Sequence, residues 1–125
     1  MKQTFWLVML LVILPKLGNA EAIEYECKFE MVCVDVEYCQ AIEFNFKFLL
    51  DTITKDAYMV GNLGLSPVRV HNGYEALTFI ESLPTGAVQT TTILNTGEAI
   101  HSRNTVILGA PAPSQYSGKC TRLES

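Results

Sequence analysis

Four cysteines, two histidines and a run of acids are the residues in this 125-residue chain whose types could do chemistry. The cysteines are Cys27, Cys33, Cys39 and Cys120. Even numbers of cysteine in an exported chain read as disulfides. Three pairings are possible, and the spacing favours Cys33–Cys39, a small local loop, with Cys27–Cys120, a tie between the start and the end of the domain. Zinc would want CxxC or HxxxH spacing, and neither occurs. With both bridges formed no thiol is left to act as a nucleophile. The histidines, His71 and His101, lack a third ligand at metal spacing, and each reads as a capping or hydrogen-bonding residue on a strand surface. On a strand His101 and Ser102 point to opposite faces, so they form no dyad, whereas His101 and Arg103 share a face. With Glu98 nearby these two make a candidate polar patch for an anionic or polar ligand, against the alternative of ordinary cross-strand pairing. Asp35 and Glu37, between two cysteines, form a candidate acidic loop. They lack the regular oxygen ligands and the glycine of a calcium loop. A carboxylate pair working with His101 would be the enzymatic reading, and it needs those groups within hydrogen-bond reach. No nucleophile elbow, P-loop, dinucleotide fingerprint or HExxH is present. The chain therefore reads as non-enzymatic, without metal or cofactor.

Residues 1–20 read differently from the remainder. Lys2 precedes the apolar run Phe5–Leu14, and Gly18-Asn19-Ala20 supplies small residues for a signal peptidase. Ten apolar residues are half of what a spanning helix needs. The expectation is a signal peptide over residues 1–20, a single domain over residues 21–125, a periplasmic or secreted destination and no membrane insertion after cleavage. Loss of Lys2 and Lys16 leaves seven bases against thirteen acids, a net charge of −6. Seven of those acids (Glu21, Glu24, Glu26, Glu30, Asp35, Glu37 and Glu43) fall in residues 21–43 beside Lys28 alone, while from Phe44 onward acids and bases balance. An acidic chain lacks the footprint for nucleic acid. Its front segment could steer a basic protein partner, or serve only as a solvated face.

These residues must be carried by strands. Ile42, Phe44, Phe46, Phe48 and Leu50 alternate with polar neighbours, the period of a half-buried strand with an aromatic inner face. Ile23–Phe29, Ala57–Gly61, a run around Val68 and Val70, Tyr74–Glu81, Ala87–Leu94, Glu98–Leu108 and Ser114–Cys120 follow the same pattern. Asn72-Gly73 is the pair that a two-residue hairpin turn prefers, Gly109–Pro113 reads as a rigid loop, and Asp51–Asp56 as one helical turn at most. About eight short strands with turn signals predict an all-β antiparallel meander, a small barrel or a two-layer sandwich, stapled by the two disulfides. The phenylalanines would pack its interior. An interior left partly open would instead suit an apolar guest, the alternative function being a small apolar-ligand carrier.

Two stretches carry a resemblance: Tyr25-Glu-Cys27-Lys-Phe29-Glu-Met-Val-Cys33 followed by Cys39, and Ala99-Ile-His101-Ser102-Arg103 followed by Pro113-Ser-Gln-Tyr116-Ser-Gly118-Lys-Cys120. Together they resemble a family of small exported, cysteine-paired β proteins of proteobacteria, with a C-x-F-x3-C-x5-C start and a Tyr-x-Gly-x-Cys end. The resemblance implies an all-β periplasmic domain and supplies no activity. A weaker similarity is to the periplasmic C-type lysozyme inhibitors, which also begin Tyr-x-Cys and close with a late cysteine. Their inhibitory loop has no residue-by-residue match here, and the Cys33, Cys39 pair departs from their simplest pattern. The expected function is an exported non-enzymatic β-domain that binds a partner, inhibitor-like binding of a basic protein being one form.

Overall fold

The computed structural model describes residues 22–35 and 37–124, so the expected signal peptide lies outside the described residues. The strands are β1 (Ala22–Asp35), β2 (Tyr38–Asp51), β3 (Ala57–Gly61), β4 (Gly64–Asn72), β5 (Ala76–Ser82), β6 (Val88–Leu94), β7 (Glu98–Ile107) and β8 (Ala110–Glu124). Each pairs antiparallel with the next, and β8 returns to β1, closing the barrel. Closure satisfies the edges that an open meander would leave. The sandwich alternative is thereby excluded and the barrel confirmed.

The period-two pattern works as expected. Phe46 and Phe48 on β2, Tyr25, Cys27 and Phe29 on β1, Phe79 on β5, Ile93 on β6 and Ala99 on β7 turn inward and form one core. Phe48 and Phe79 stack at 4.1 Å between ring centroids, and Phe46 meets Phe48 edge-on at 5.3 Å. Phe48 is 1% exposed. Such rings carry 150–250 Å² each into the core, enough to let a chain this small fill a barrel.

Both expected disulfides are formed, Cys27–Cys120 and Cys33–Cys39, and no cysteine is left free among the described residues. They fit an oxidising, non-cytoplasmic compartment. Cys27 and Cys33 are an even number of residues apart, so an unbroken strand would aim them to one face. They do not share one. The register of β1 shifts between Phe29 and Met31 against both neighbours, with Glu30 the extra residue against β8. This bulge reverses the alternation. Cys27 is buried inward, Val32 takes over the inward role, and Cys33 meets Cys39 on the outer face. Ile42 lies opposite this irregularity, where β3 no longer covers β2, and is exposed rather than packed with the other residues of the expected inner row. Across from the bulge, Gly118 has no side chain because a Cβ there would come within 2.6 Å of the Phe29 Cα.

The turns correct two expectations. Asn72-Gly73 does not form a two-residue turn. Asn72 pairs with Leu77, and the Gly73 amide donates to the Ala76 carbonyl, closing a longer loop. The two-residue turn with positive φ at both positions is Leu108 (φ 51°) and Gly109 (φ 80°). The expected rigid loop 109–113 is therefore the start of β8, its prolines held in the ladder with β7. At Asp51–Lys55 the Lys55 amide reaches the Asp51 carbonyl, a single helical turn, and the Asp51 carboxylate accepts from the amides of Thr54 and Ile53, which lowers its pKa.

Candidate functional site: a two-hairpin arm and a polar row inside the barrel

The strands are unequal in length, and that inequality builds the site. β2 pairs with β3 only over Lys47–Leu50, yet it pairs with β1 out to Tyr38. β7 pairs with β6 no further than Arg103, yet with β8 as far as Ile107. β1 and β8 part after Cys33 and Gln115. Two hairpins therefore continue past the barrel at the same end. One is the β1–β2 tip, crossed by Cys33–Cys39. The other is the β7–β8 tip over residues 104–114. Where they part lies a cleft of about 470 Å³, lined by Cys33, Asp35, Ser102, Asn104, Pro113 and Gln115 among others. The Gln115 amide donates to the Ser102 hydroxyl at its wall.

The two tips differ in chemistry. Between Glu30 and Phe46 the first carries Glu30, Asp35, Glu37 and Glu43 and no base, while residues 104–114 carry no charge at all. Lower on the barrel, Glu26 and Glu24 lie 3.8 Å from Lys28 and Lys47. Among the described residues Glu30, Glu37 and Glu43 have no such ion pair. Apolar side chains are exposed on both tips, Val34 and Tyr38 on the first, Val106, Ile107 and Leu108 on the second. The expected acidic loop, Asp35 and Glu37, is thus a solvent-facing hairpin tip. Nothing in the sequence reading pointed to the second tip, although an uncharged stretch from Asn104 to Ser114 was there to be read.

The expected polar patch is divided by the barrel wall. His101 and Arg103 share a face, as their spacing predicted, and that face is the inner one, but Glu98 is an exposed residue of the outer face paired with Lys119. His101 was expected on a strand surface and is instead 2% exposed. Its Nδ1 lies 2.7 Å from the Thr91 hydroxyl, and its ring packs among Phe29, Phe44, Phe46 and Tyr116. Burial, with a smaller contribution from the Arg103 charge, lowers its pKa to about 4, so the ring is neutral at physiological pH. Arg103 approaches the Tyr116 hydroxyl at 3.5 Å, and the Gln89 amide donates to the Glu81 carboxylate. Gln89 Oε1, His101 Nε2 and Arg103 Nε have no protein partner. The inner wall formed by β5, β6 and β7 is therefore a polar row facing the aromatic wall of β1 and β2. The acids of the hairpin tip are not brought to His101, whose surroundings are Thr91 and four aromatic rings. The rings fill the middle of the barrel: the gap beside Phe48, Phe79 and His101 has no room for a water molecule.

Among the described residues no group of three or more His, Cys, Asp or Glu could hold a metal ion. No helix there is long and apolar enough to cross a membrane. No protein-family model matches the chain, and neither the curated proteins nor the solved structures provide a match.

Proposed function

We propose that this chain is an exported, non-enzymatic binding domain of the periplasm or the extracellular space, and that it docks a basic protein on the acidic β1–β2 hairpin. Inhibitor-like blocking of a basic enzyme is the specific form of this role. One observation supports the reading above the others: acids without bases, beside exposed Val34 and Tyr38, sit on a hairpin tip stapled by Cys33–Cys39. A staple limits the tip to few conformations, so less ordering entropy is lost on docking. The acids supply long-range attraction, and exposed side chains such as Tyr38 supply contact area.

The test uses a C-type lysozyme as the basic probe. Surface-bound chain should capture it with an association rate that falls steeply as salt is raised, because exposed charges are screened beyond about 10 Å at 0.1 M. Glu37→Lys should slow association by about tenfold while dissociation changes less. Capture that ignores salt, or indifference to Glu37→Lys, would show that the acidic tip is not the docking element. No capture at all would remove lysozyme-type enzymes from the partner class.

A further inference from the structure

We propose that the free edge of β7, from Asn104 to Ile107, pairs antiparallel with the same edge of a second copy of the chain and makes a twofold dimer. Leu108 and Gly109 form a two-residue turn with both φ angles positive, which makes Ile107 and Ala110 a hydrogen-bonded pair. Bonded and non-bonded pairs alternate in an antiparallel ladder. Thr105 and Ala112 are then bonded to each other, whereas Val106 faces Pro111 and Asn104 faces Pro113 as non-bonded pairs. Asn104 and Val106 therefore turn their N–H and C=O groups away from β8. The N–H of Asn104 still reaches Val88, the first residue of β6, because the Arg103–Gln89 pair is non-bonded and is closed by its flanking bonds; beyond Val88 there is no strand, so the C=O of Asn104 and both groups of Val106 face none.

Exposed backbone edges are templates for further strands, and proteins blunt them with proline or charge. The other free edges at this end are blunted. On β8, Pro111 and Pro113 occupy the non-bonded positions, so the N–H each lacks would have pointed outward toward the parting of β1 and β8. On β4, Pro67 sits opposite Tyr58 of β3, beyond the reach of β5. The free stretch of β2 carries Glu43. The edge of β7 reads Asn-Thr-Val-Ile, without proline or charge, and Val106 and Ile107 are 47% and 57% exposed.

The occupant follows from charge and strand order. The chain is acidic, and like charges resist self-association, but residues 104–114 carry none. Two copies meeting at β7 bring no acid face to face. The order β2-β1-β8-β7 places the acidic hairpin two strands away from this edge. Continuing the sheet through β7 of both copies sets the two acidic hairpins on opposite flanks, where they repel least. The interface is isologous, as a closed dimer requires.

Sedimentation equilibrium of the chain without residues 1–20, from low-micromolar to near-millimolar concentration, should show the mass doubling. Amide exchange at Val106 should slow as concentration rises, while that of Asn104, already bonded to β6, should not change. Val106→Pro removes one outward N–H and leaves the ladder to β8 intact, as Pro111 and Pro113 do on the other side. It should weaken the dimer by at least about tenfold, roughly the loss of one or two backbone hydrogen bonds. Val106→Lys, which keeps every backbone group, should weaken it as well, and near-ultraviolet circular dichroism checks that each variant keeps its packed rings. A monomer throughout the range, a dimer indifferent to both variants, or protection that appears on β2 instead would overturn the proposal. So would pairing of this edge with a different protein in preference to its own copy. Lysozyme capture by the Val106 variants remains unchanged if only the dimer is lost, which separates this inference from the docking role of the acidic tip.

Discussion

The barrel body and the arm are built from the same strands, yet a side chain means something different in each. On β2, Phe48 lies 1% exposed among other rings, and ten residues earlier Tyr38 is 71% exposed at the hairpin tip. Each region also has its own disulfide. Cys27–Cys120 is inward, across the seam that closes the barrel, and Cys33–Cys39 is outward on the arm. The body holds a shape that its sequence over-determines. The arm is held by a ladder and a staple while its side chains remain available. Stability and docking can therefore be altered separately in this chain, and substitutions in one region at a time probe that separation.

The largest contrast is between the staples. Cys27 and Cys120 are separated by 93 positions and Cys33 and Cys39 by 6. In the loop-entropy model the first constrains the unfolded chain by about 4.7 kcal/mol and the second by about 2.4 kcal/mol. Removing the first pair as Cys27→Ser with Cys120→Ser should bring the domain close to unfolding, given a typical net stability of about 5–15 kcal/mol. Removing the second pair as Cys33→Ala with Cys39→Ala should leave a cooperatively folded barrel that captures its basic partner less well. Denaturant titration of both double variants reads the order directly, and equal losses would mean that arm and body unfold as one unit. Next in size comes Phe48→Ala, which deletes a ring stacked on Phe79 and should cost about 4 kcal/mol. Tyr38→Ala on the same strand should change stability by less than about 0.5 kcal/mol.

The polar row inside the body offers a third test, through pH. His101 is neutral when folded, with a pKa lowered to about 4 from 6.5. The unfolded chain therefore takes up a proton at this residue between those two values while the folded chain does not. Stability is complete above pH 6.5 and declines as pH falls toward 4, by at most about 3 kcal/mol from this group. Denaturant midpoints measured across that window should fall in the native protein and stay flatter in His101→Gln. The polar groups around His101 are Arg103, which shares its inner wall, the Thr91 and Tyr116 hydroxyls, and Glu81, which lines the same gap.

The body was legible in the sequence, and the arm was not. Phe44, Phe46 and Phe48 at every second position specify an inner face whatever the closure, and the even cysteine count specifies two staples. His101 and Arg103 were correctly placed on one face by the same period. What the period could not show was which face of β7 is inside, so a buried histidine read as a surface one and Glu98 was grouped with residues across the wall. The bulge at Glu30 leaves no mark in the sequence, because any residue can be the extra one, and with it the outward turn of Cys33 was hidden. The second hairpin was concealed by its prolines. Pro111 and Pro113 argue against a central strand, and only the pairing with β7 reveals them as residues of an edge.

The smallest gain expected is on the arm, at Leu108. A leucine with φ 51° and 102% relative exposure departs from both of its usual habits. Left-handed backbone costs a residue with a Cβ about 1–2 kcal/mol, and asparagine tolerates it better because its short polar side chain can bond locally. Leu108→Asn should therefore stabilise the hairpin by about 0.5–1 kcal/mol, visible as a higher denaturant midpoint. No buried contact is lost in compensation, since the side chain touches solvent on every side. If the same substitution also weakens pairing between copies at the adjacent β7 edge, then the strain at Leu108 is tied to presenting an apolar tip, and the arm gives up stability for contact. If stability rises and association is untouched, the exposed leucine has no part in the interface, and the boundary of the β7 edge lies at Ile107.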